Sequence, residues 1–151
     1  MLKALGVAVA AALAVVGLAL AAPQKETYNL TANLKARTEV PKPTGVPTGA
    51  TGLFTGKSVD LPYSKVKLTW KLTFSKLNGA AGAAHIHVGK PGKAGPVLLA
   101  LCGPCKTGQR GTATISEAQF KKIEAGSTYV NIHTAKNAAG EIRGQVKVSE
   151  S

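Results

Sequence analysis

Three histidines are the residues of this sequence best suited to bind a metal ion. His85 and His87 are separated by one residue, and His133 lies in a second segment of similar sequence. A neutral imidazole nitrogen is a common ligand for copper, zinc and nickel, and a set of three protein ligands leaves at least one coordination position open. The three histidines are therefore predicted to form a transition-metal site, with copper as the first choice and zinc as the alternative.

The two histidine segments are predicted to be strands, over residues 83–88 and 128–134. Because successive side chains of a strand point to opposite faces, His85 and His87 share one face, with their side chains about 6.5–7 Å apart along the strand. His133 likewise lies on the polar face of its own strand. Each segment is followed by a glycine-containing turn, which predicts two similar hairpins. If these hairpins are neighbours, all three rings can reach one ion.

Other roles for these residues stay open at this point. A histidine at the end of a strand often fixes a turn through hydrogen bonds, and this is the main alternative to metal binding. A carboxylate could complete the site, and Glu141 is the nearest candidate in the sequence. Glu141 and Arg143 are otherwise expected to form an ion pair on the strand surface or to hold a loop. The chain has a single methionine, Met1, which argues against a thioether copper(I) carrier.

The two cysteines, Cys102 and Cys105, enclose a Gly-Pro dipeptide in the CxxC spacing of thioredoxin active sites. Redox chemistry at such a motif needs a helix that begins at the first cysteine, within a βαβ unit. Here the motif follows a predicted strand and precedes a Lys-Thr-Gly turn. A structural disulfide is therefore predicted, and thiol exchange and soft-metal binding are the alternatives.

Short segments rich in Thr, Val and Gly alternate with turn residues along the chain, which predicts an all-β fold. The clearest strand is residues 65–74, where five apolar side chains alternate with Lys and Thr. The segment Ser-Glu-Ala-Gln at residues 116–119 matches a capping box and predicts one short helix. The expected architecture is an antiparallel β-sandwich of Greek-key type, immunoglobulin-like or similar to Cu/Zn superoxide dismutase.

Residues 1–21 have the pattern of a secretory signal peptide: one lysine, an apolar run and a small-x-small cleavage site ending at Ala21. An uncleaved membrane anchor is the alternative, because the apolar run approaches the length of a spanning helix. Residues 22–151 are then one domain, in the periplasm, in the cell envelope or secreted. After cleavage, no integral membrane segment is expected.

The chain carries a formal net charge of +12. Such a charge favours anionic partners. A non-catalytic binding or adhesion module, with a basic surface for anionic envelope polymers or a protein partner, is therefore the alternative to a metal protein. The basic residues are scattered among few aromatics, which does not indicate nucleic-acid binding. No serine elbow, phosphate loop or pair of catalytic carboxylates can be identified, so an enzyme is not predicted.

Several of these residues also carry a family resemblance. Residues 84–87, 95–97, 129–134 and 140–145 read AHIH, GPV, YVNIHT and GEIRGQ. These blocks resemble the CHRD (chordin-type) domain over about residues 28–148, in a stand-alone exported microbial form. The resemblance implies an extracellular β-sandwich and draws attention to the three histidines, but it implies no activity. A His-x-His strand is also similar to that of Cu/Zn superoxide dismutase, which needs more histidines than this chain has.

Overall fold

The structure is a computed structural model and describes residues 26–151, so the predicted signal peptide lies outside the described residues. This part of the chain forms nine strands, one α-helix and a 3-10 turn at Ala36–Thr38. The strands and the helix are β1 (Thr27–Lys35), β2 (Thr51–Leu61), β3 (Lys65–Ser75), β4 (Ala81–Val88), β5 (Val97–Cys102), β6 (Gln109–Ser116), α1 (Glu117–Glu124), β7 (Thr128–Thr134), β8 (Ile142–Gln145) and β9 (Lys147–Glu150).

The strands form one continuous, nearly closed antiparallel sheet in the order β5-β4-β7-β8-β1-β2-β3-β6, with β9 also paired to β1. This confirms the predicted all-β class with one short helix. The half made of β5, β4, β7 and β8 and the half made of β1, β2, β3 and β6 contribute buried side chains to a single hydrophobic core. Each half therefore has an inner face towards this core and an outer face away from it.

Strand β3 shows how the alternation of residue types positions the core. Val66, Leu68, Trp70 and Leu72 are buried on the inner face, as predicted. The residues between them are lysines and threonines, which lie on the outer face. A shift of one residue in the pairing would move all the apolar side chains of β3 to the outer face, so the register with β2 and β6 is fixed. Residues of β2 and β6 that lie opposite the lysines and threonines of β3 therefore point outwards too.

Helix α1 begins and ends as its sequence predicts. The Ser116 hydroxyl accepts a hydrogen bond from the Gln119 amide, and the Gln119 side chain accepts one from the Ser116 amide, which completes the capping box. Gly126 follows the C-cap with φ of +64°, a conformation that glycine adopts at low cost. The helix packs Phe120 and Ile123 against the core.

The last part of the chain forms two short strands, β8 and β9, that are separated by one residue. The break falls at Val146, whose amide bonds to the Thr128 carbonyl while its side chain is buried. The chain therefore leaves β7 as its neighbour and continues along β1. Within residues 26–151 there is no helix of the length and apolar character that a membrane span requires.

Candidate metal centre

The three histidines lie on two neighbouring strands. Strands β4 and β7 pair in antiparallel register, with His85 opposite Asn131 and His87 opposite Tyr129. The predicted hairpins are therefore neighbours, but their turns lie at opposite ends of the strand pair. Since His133 is level with Ala83, the rings of His87 and His133 must lean towards each other across His85 to meet.

The rings do meet. One nitrogen from each of His85, His87 and His133 lies within 4.8 Å of the other two, so a common point exists within about 2.8 Å of all three. His85 Nδ1 and His133 Nε2 are already 3.1 Å apart. Ligands of a tetrahedral ion at 2.0–2.1 Å are separated by roughly 3.3 Å. Small movements of the side chains are therefore enough to bring the three nitrogens into bonding distance of one ion.

Backbone carbonyls orient two of the rings. His87 Nδ1 is 2.9 Å from the Gly95 carbonyl, and His133 Nδ1 is 2.9 Å from the Ala138 carbonyl. Because a carbonyl only accepts, each Nδ1 carries a proton, and in the neutral ring each Nε2 then presents a lone pair. The Nε2 atom of His87 is buried and has no hydrogen-bond partner among the described residues. A buried acceptor without a partner costs stability, whereas an ion bound at this atom would satisfy it.

Electrostatics favour the neutral forms of His85 and His133. Burial lowers the pKa of His85, and the neighbouring His133 and His87 lower it further. Burial also lowers the pKa of His133, although the bond to the Ala138 carbonyl opposes this shift. Neutral imidazole is the form that binds metal, so the pocket disfavours the proton that would compete with an ion.

A stack of three side chains supports His87, and sequence reasoning missed it. The rings of His87 and Tyr129 are parallel within 7°, with centroids 5.0 Å apart. The Arg143 guanidinium covers the other side of Tyr129, 3.3 Å from the ring centroid. Its Nη2 atom donates to the carbonyls of Lys90 and Lys93, which lie in the turn after β4. Arg143 thus holds a loop, which was one of its two expected roles.

Glu141 does not face the histidines. Its carboxylate is buried and accepts hydrogen bonds from the Asn78 amide, the Thr134 hydroxyl and the Asn137 side chain. Asn137 in turn bonds to both backbone groups of Thr44. Glu141 therefore ties the second hairpin to two other loops. Both carboxylate oxygens already accept hydrogen bonds, so Glu141 has a structural role and is not positioned as a metal ligand.

Two glycines close to the site are required by its geometry. A side-chain carbon on Gly95 would lie 1.8 Å from the Val88 carbonyl, a distance that no side chain tolerates. Gly140 has φ of +136°, and a side-chain carbon there would lie 2.4 Å from Glu39 Oε2. These are the glycines that follow the two histidine strands, so each turn depends on the absence of a side chain.

Glu39 is, with Glu141, a second buried carboxyl group, and it packs against Gly140 beside Asn131. Burial raises the pKa of Glu39 to about 7, while the hydrogen bond from the Val40 amide and the charge of Arg143 oppose the shift. The other carboxyl oxygen, Oε2, has no hydrogen-bond partner among the described residues. Below about pH 7 the folded protein therefore favours the neutral carboxyl.

We expect Glu39→Gln to remove a pH dependence of stability. Since the folded pKa of about 7 exceeds the ordinary value of 4.5, the native state binds the proton more tightly than the unfolded state. The free energy of unfolding should then fall as pH rises from 4.5 to about 7 and level off above. The variant cannot ionise and should be more stable than the wild type at pH 8, by about 3 kcal/mol. Urea unfolding at pH 4.5, 6 and 8 measures this, and a difference that is the same at all three values would refute it.

The two cysteines form a disulfide in the structure, with Cα atoms 5.3 Å apart. Cys102 ends β5, and the Cys105 amide bonds to the Ala81 carbonyl at the start of β4. No helix begins at Cys102, so the structural setting differs from that of a redox CxxC motif. The bridge fastens a short loop to the edge of the sheet, as predicted for a structural disulfide.

Comparison with known proteins gives one match. The model of the CHRD domain family matches residues 30–146. No curated protein and no solved structure matches the chain. The matched residues include all three histidines, the disulfide, Arg143 and both glycines of the histidine turns.

Proposed function

Because the chain belongs to the CHRD domain family, we propose that it is an exported module that binds one transition-metal ion through His85, His87 and His133. One observation carries the proposal: three imidazoles converge, and one of them buries a nitrogen that has no hydrogen-bond partner among the described residues. Hydrogen bonding, the alternative role, accounts for the Nδ1 atoms of His87 and His133 and for the contact between His85 Nδ1 and His133 Nε2. It does not account for the buried Nε2 atom of His87, which has no partner among the described residues.

Copper is the ion that this donor set favours, and zinc is the alternative. Copper(II) leads the stability order of divalent ions at nitrogen sites, and three imidazoles leave open positions for water or a substrate. The cluster consists of histidines alone, without a cysteine or carboxylate to favour a softer or harder ion. The role would be metal handling or a simple redox function in the envelope.

Two features support export. Residues 1–21 have the pattern of a signal peptide. The bond between Cys102 and Cys105 suits an oxidising compartment, where disulfides persist. The proposed location is the periplasm, the cell envelope or the extracellular medium.

Isothermal titration of the protein with copper(II) and zinc(II) at neutral pH tests the proposal. We expect about one equivalent of copper to bind, more tightly than zinc, because three nitrogens define a single site. A variant with all three histidines replaced by Gln serves as the control and should bind neither ion at the same concentrations. If neither metal binds to the wild type, the proposal is wrong.

A second function is favoured by a separate observation, the unpaired positive charge of the domain. The whole chain has 19 basic side chains and only 7 acidic ones. Within residues 26–151 the only ion pair joins Lys121 to Glu117. We propose on this basis that the domain also binds an anionic envelope polymer or an acidic protein partner, independently of the histidines.

A further inference from the structure

We propose that the outer face of β2, β3 and β6 is a binding surface for a linear anionic polysaccharide. This inference rests on the second proposed function and assigns it a place and a partner. The surface, called the basic face here, is formed by Lys57, Lys65, Lys67, Lys71 and Arg110.

The register of the three strands brings these charges together. Lys71 lies directly opposite Arg110 on β6. Lys57 is opposite Thr69, so it is diagonal to both Lys67 and Lys71. The outward positions of the three strands contain no acidic residue, because every other residue of β2, β3 and β6 on this side is apolar or a hydroxyl. The result is a continuous surface of one sign of charge.

This arrangement is unfavourable for the fold itself. Like charges directly opposite each other on neighbouring strands destabilise a sheet, and opposite charges stabilise it. None of the five basic side chains has an acidic partner within ion-pair distance among the described residues. A polymer with a repeating negative charge would reduce the repulsion among these side chains. Its charge is complementary to that of the basic face, so the partner is expected to be anionic.

The other side chains of the face indicate a polysaccharide. Thr55, Thr69 and Thr112 contribute hydroxyls between the charges, and they line a shallow depression of about 510 Å³ together with Lys71 and Arg110. Hydroxyls and cations together suit a chain that carries both hydroxyl and acidic groups. Trp70 also lines this depression, but its side chain is buried on the inner face, so the three strands expose no ring on which a base could stack. The outward apolar side chains are Leu53, Val59 and Leu61, all on β2.

The experiment is a binding titration with alginate, a linear polyuronate, on the full chain at 50 and 500 mM NaCl. We expect binding at low salt that weakens by about tenfold or more at high salt. The variant Lys57→Gln/Lys71→Gln/Arg110→Gln should lose at least about tenfold in affinity. The matched control removes three exposed charges elsewhere, with Lys42→Gln/Lys90→Gln/Lys122→Gln, and should lose much less.

The outcomes separate the inference from the function on which it rests. Equal losses in the two variants would overturn the basic face but leave polymer binding standing. No binding to alginate at 50 mM NaCl would overturn both. Stronger binding to vesicles of phosphatidylcholine and phosphatidylglycerol than to alginate would overturn the polysaccharide as partner.

A variant with one reversed charge tests whether a loss of alginate binding results from misfolding. Lys71→Glu places an acid opposite Arg110, so the urea midpoint should rise while alginate binding falls. A lower midpoint together with weaker binding would instead mean that the surface contributes to the fold, and it would overturn the energetic basis of the proposal.

Discussion

His87→Phe should lower copper affinity by at least about 100-fold while the protein stays folded. His87 stacks on Tyr129 at 5.0 Å and is mostly buried, so a phenyl ring can occupy its place. What the phenyl ring lacks is the buried Nε2 atom, which has no role in the fold's hydrogen bonding. The loss of the Nδ1 bond to the Gly95 carbonyl should cost about 1 kcal/mol of stability.

The matched control for this variant is Tyr129→Phe. It removes the hydroxyl that accepts a hydrogen bond from the Gly95 amide but keeps the ring beneath His87. Copper affinity should then stay within a few-fold of the wild type, because no ligand is lost. Isothermal titration and thermal unfolding of both variants give the two quantities. Wild-type copper affinity in His87→Phe would exclude this histidine as a ligand.

Arg143→Met should destabilise the protein by about 2 kcal/mol and lower copper affinity by about tenfold. The guanidinium joins the turn after β4 to β8 through the carbonyls of Lys90 and Lys93, and it covers Tyr129. Methionine fills similar volume but donates no hydrogen bond and carries no charge. The turn that orients His87 should therefore loosen, and hydrogen exchange of the amides in residues 89–96 should become faster.

Arg37→Met is the control, because Arg37 is exposed and its loss removes the same charge from the surface. It should leave the urea midpoint, the copper affinity and the hydrogen exchange of the turn close to those of the wild type. If the two variants unfold alike, the buried contacts of Arg143 contribute nothing beyond charge, and the supporting role assigned to it is wrong.

Local pattern predicted much of this molecule. Alternation in residues 65–74 identified the inner face of β3, and the capping box at Ser116 located α1. Strand parity placed His85 and His87 on one face and His133 on the polar face of β7. The same parity assigns Tyr129 to that face, since it lies four residues before His133, so this signal was present in the sequence.

Other features depend on contacts that no local pattern contains. Arg143 reaches carbonyls 50 and 53 residues away, and this pairing exists only once β8 has been placed beside β7. Lys71 and Arg110 lie opposite each other only because β3 pairs with β6, although the β4–β5 hairpin separates these two strands in the sequence. The lean of the rings towards each other follows from the antiparallel pairing of β4 with β7, and sequence similarity between the two hairpins could not predict it.

The central claim is that one ion binds among the three rings, and anomalous diffraction from crystals of the copper-loaded protein at the copper absorption edge tests it most directly. The account predicts a single strong peak about 2 Å from one nitrogen each of His85, His87 and His133. A peak at any other place, or no peak in a protein that has taken up copper, would contradict it.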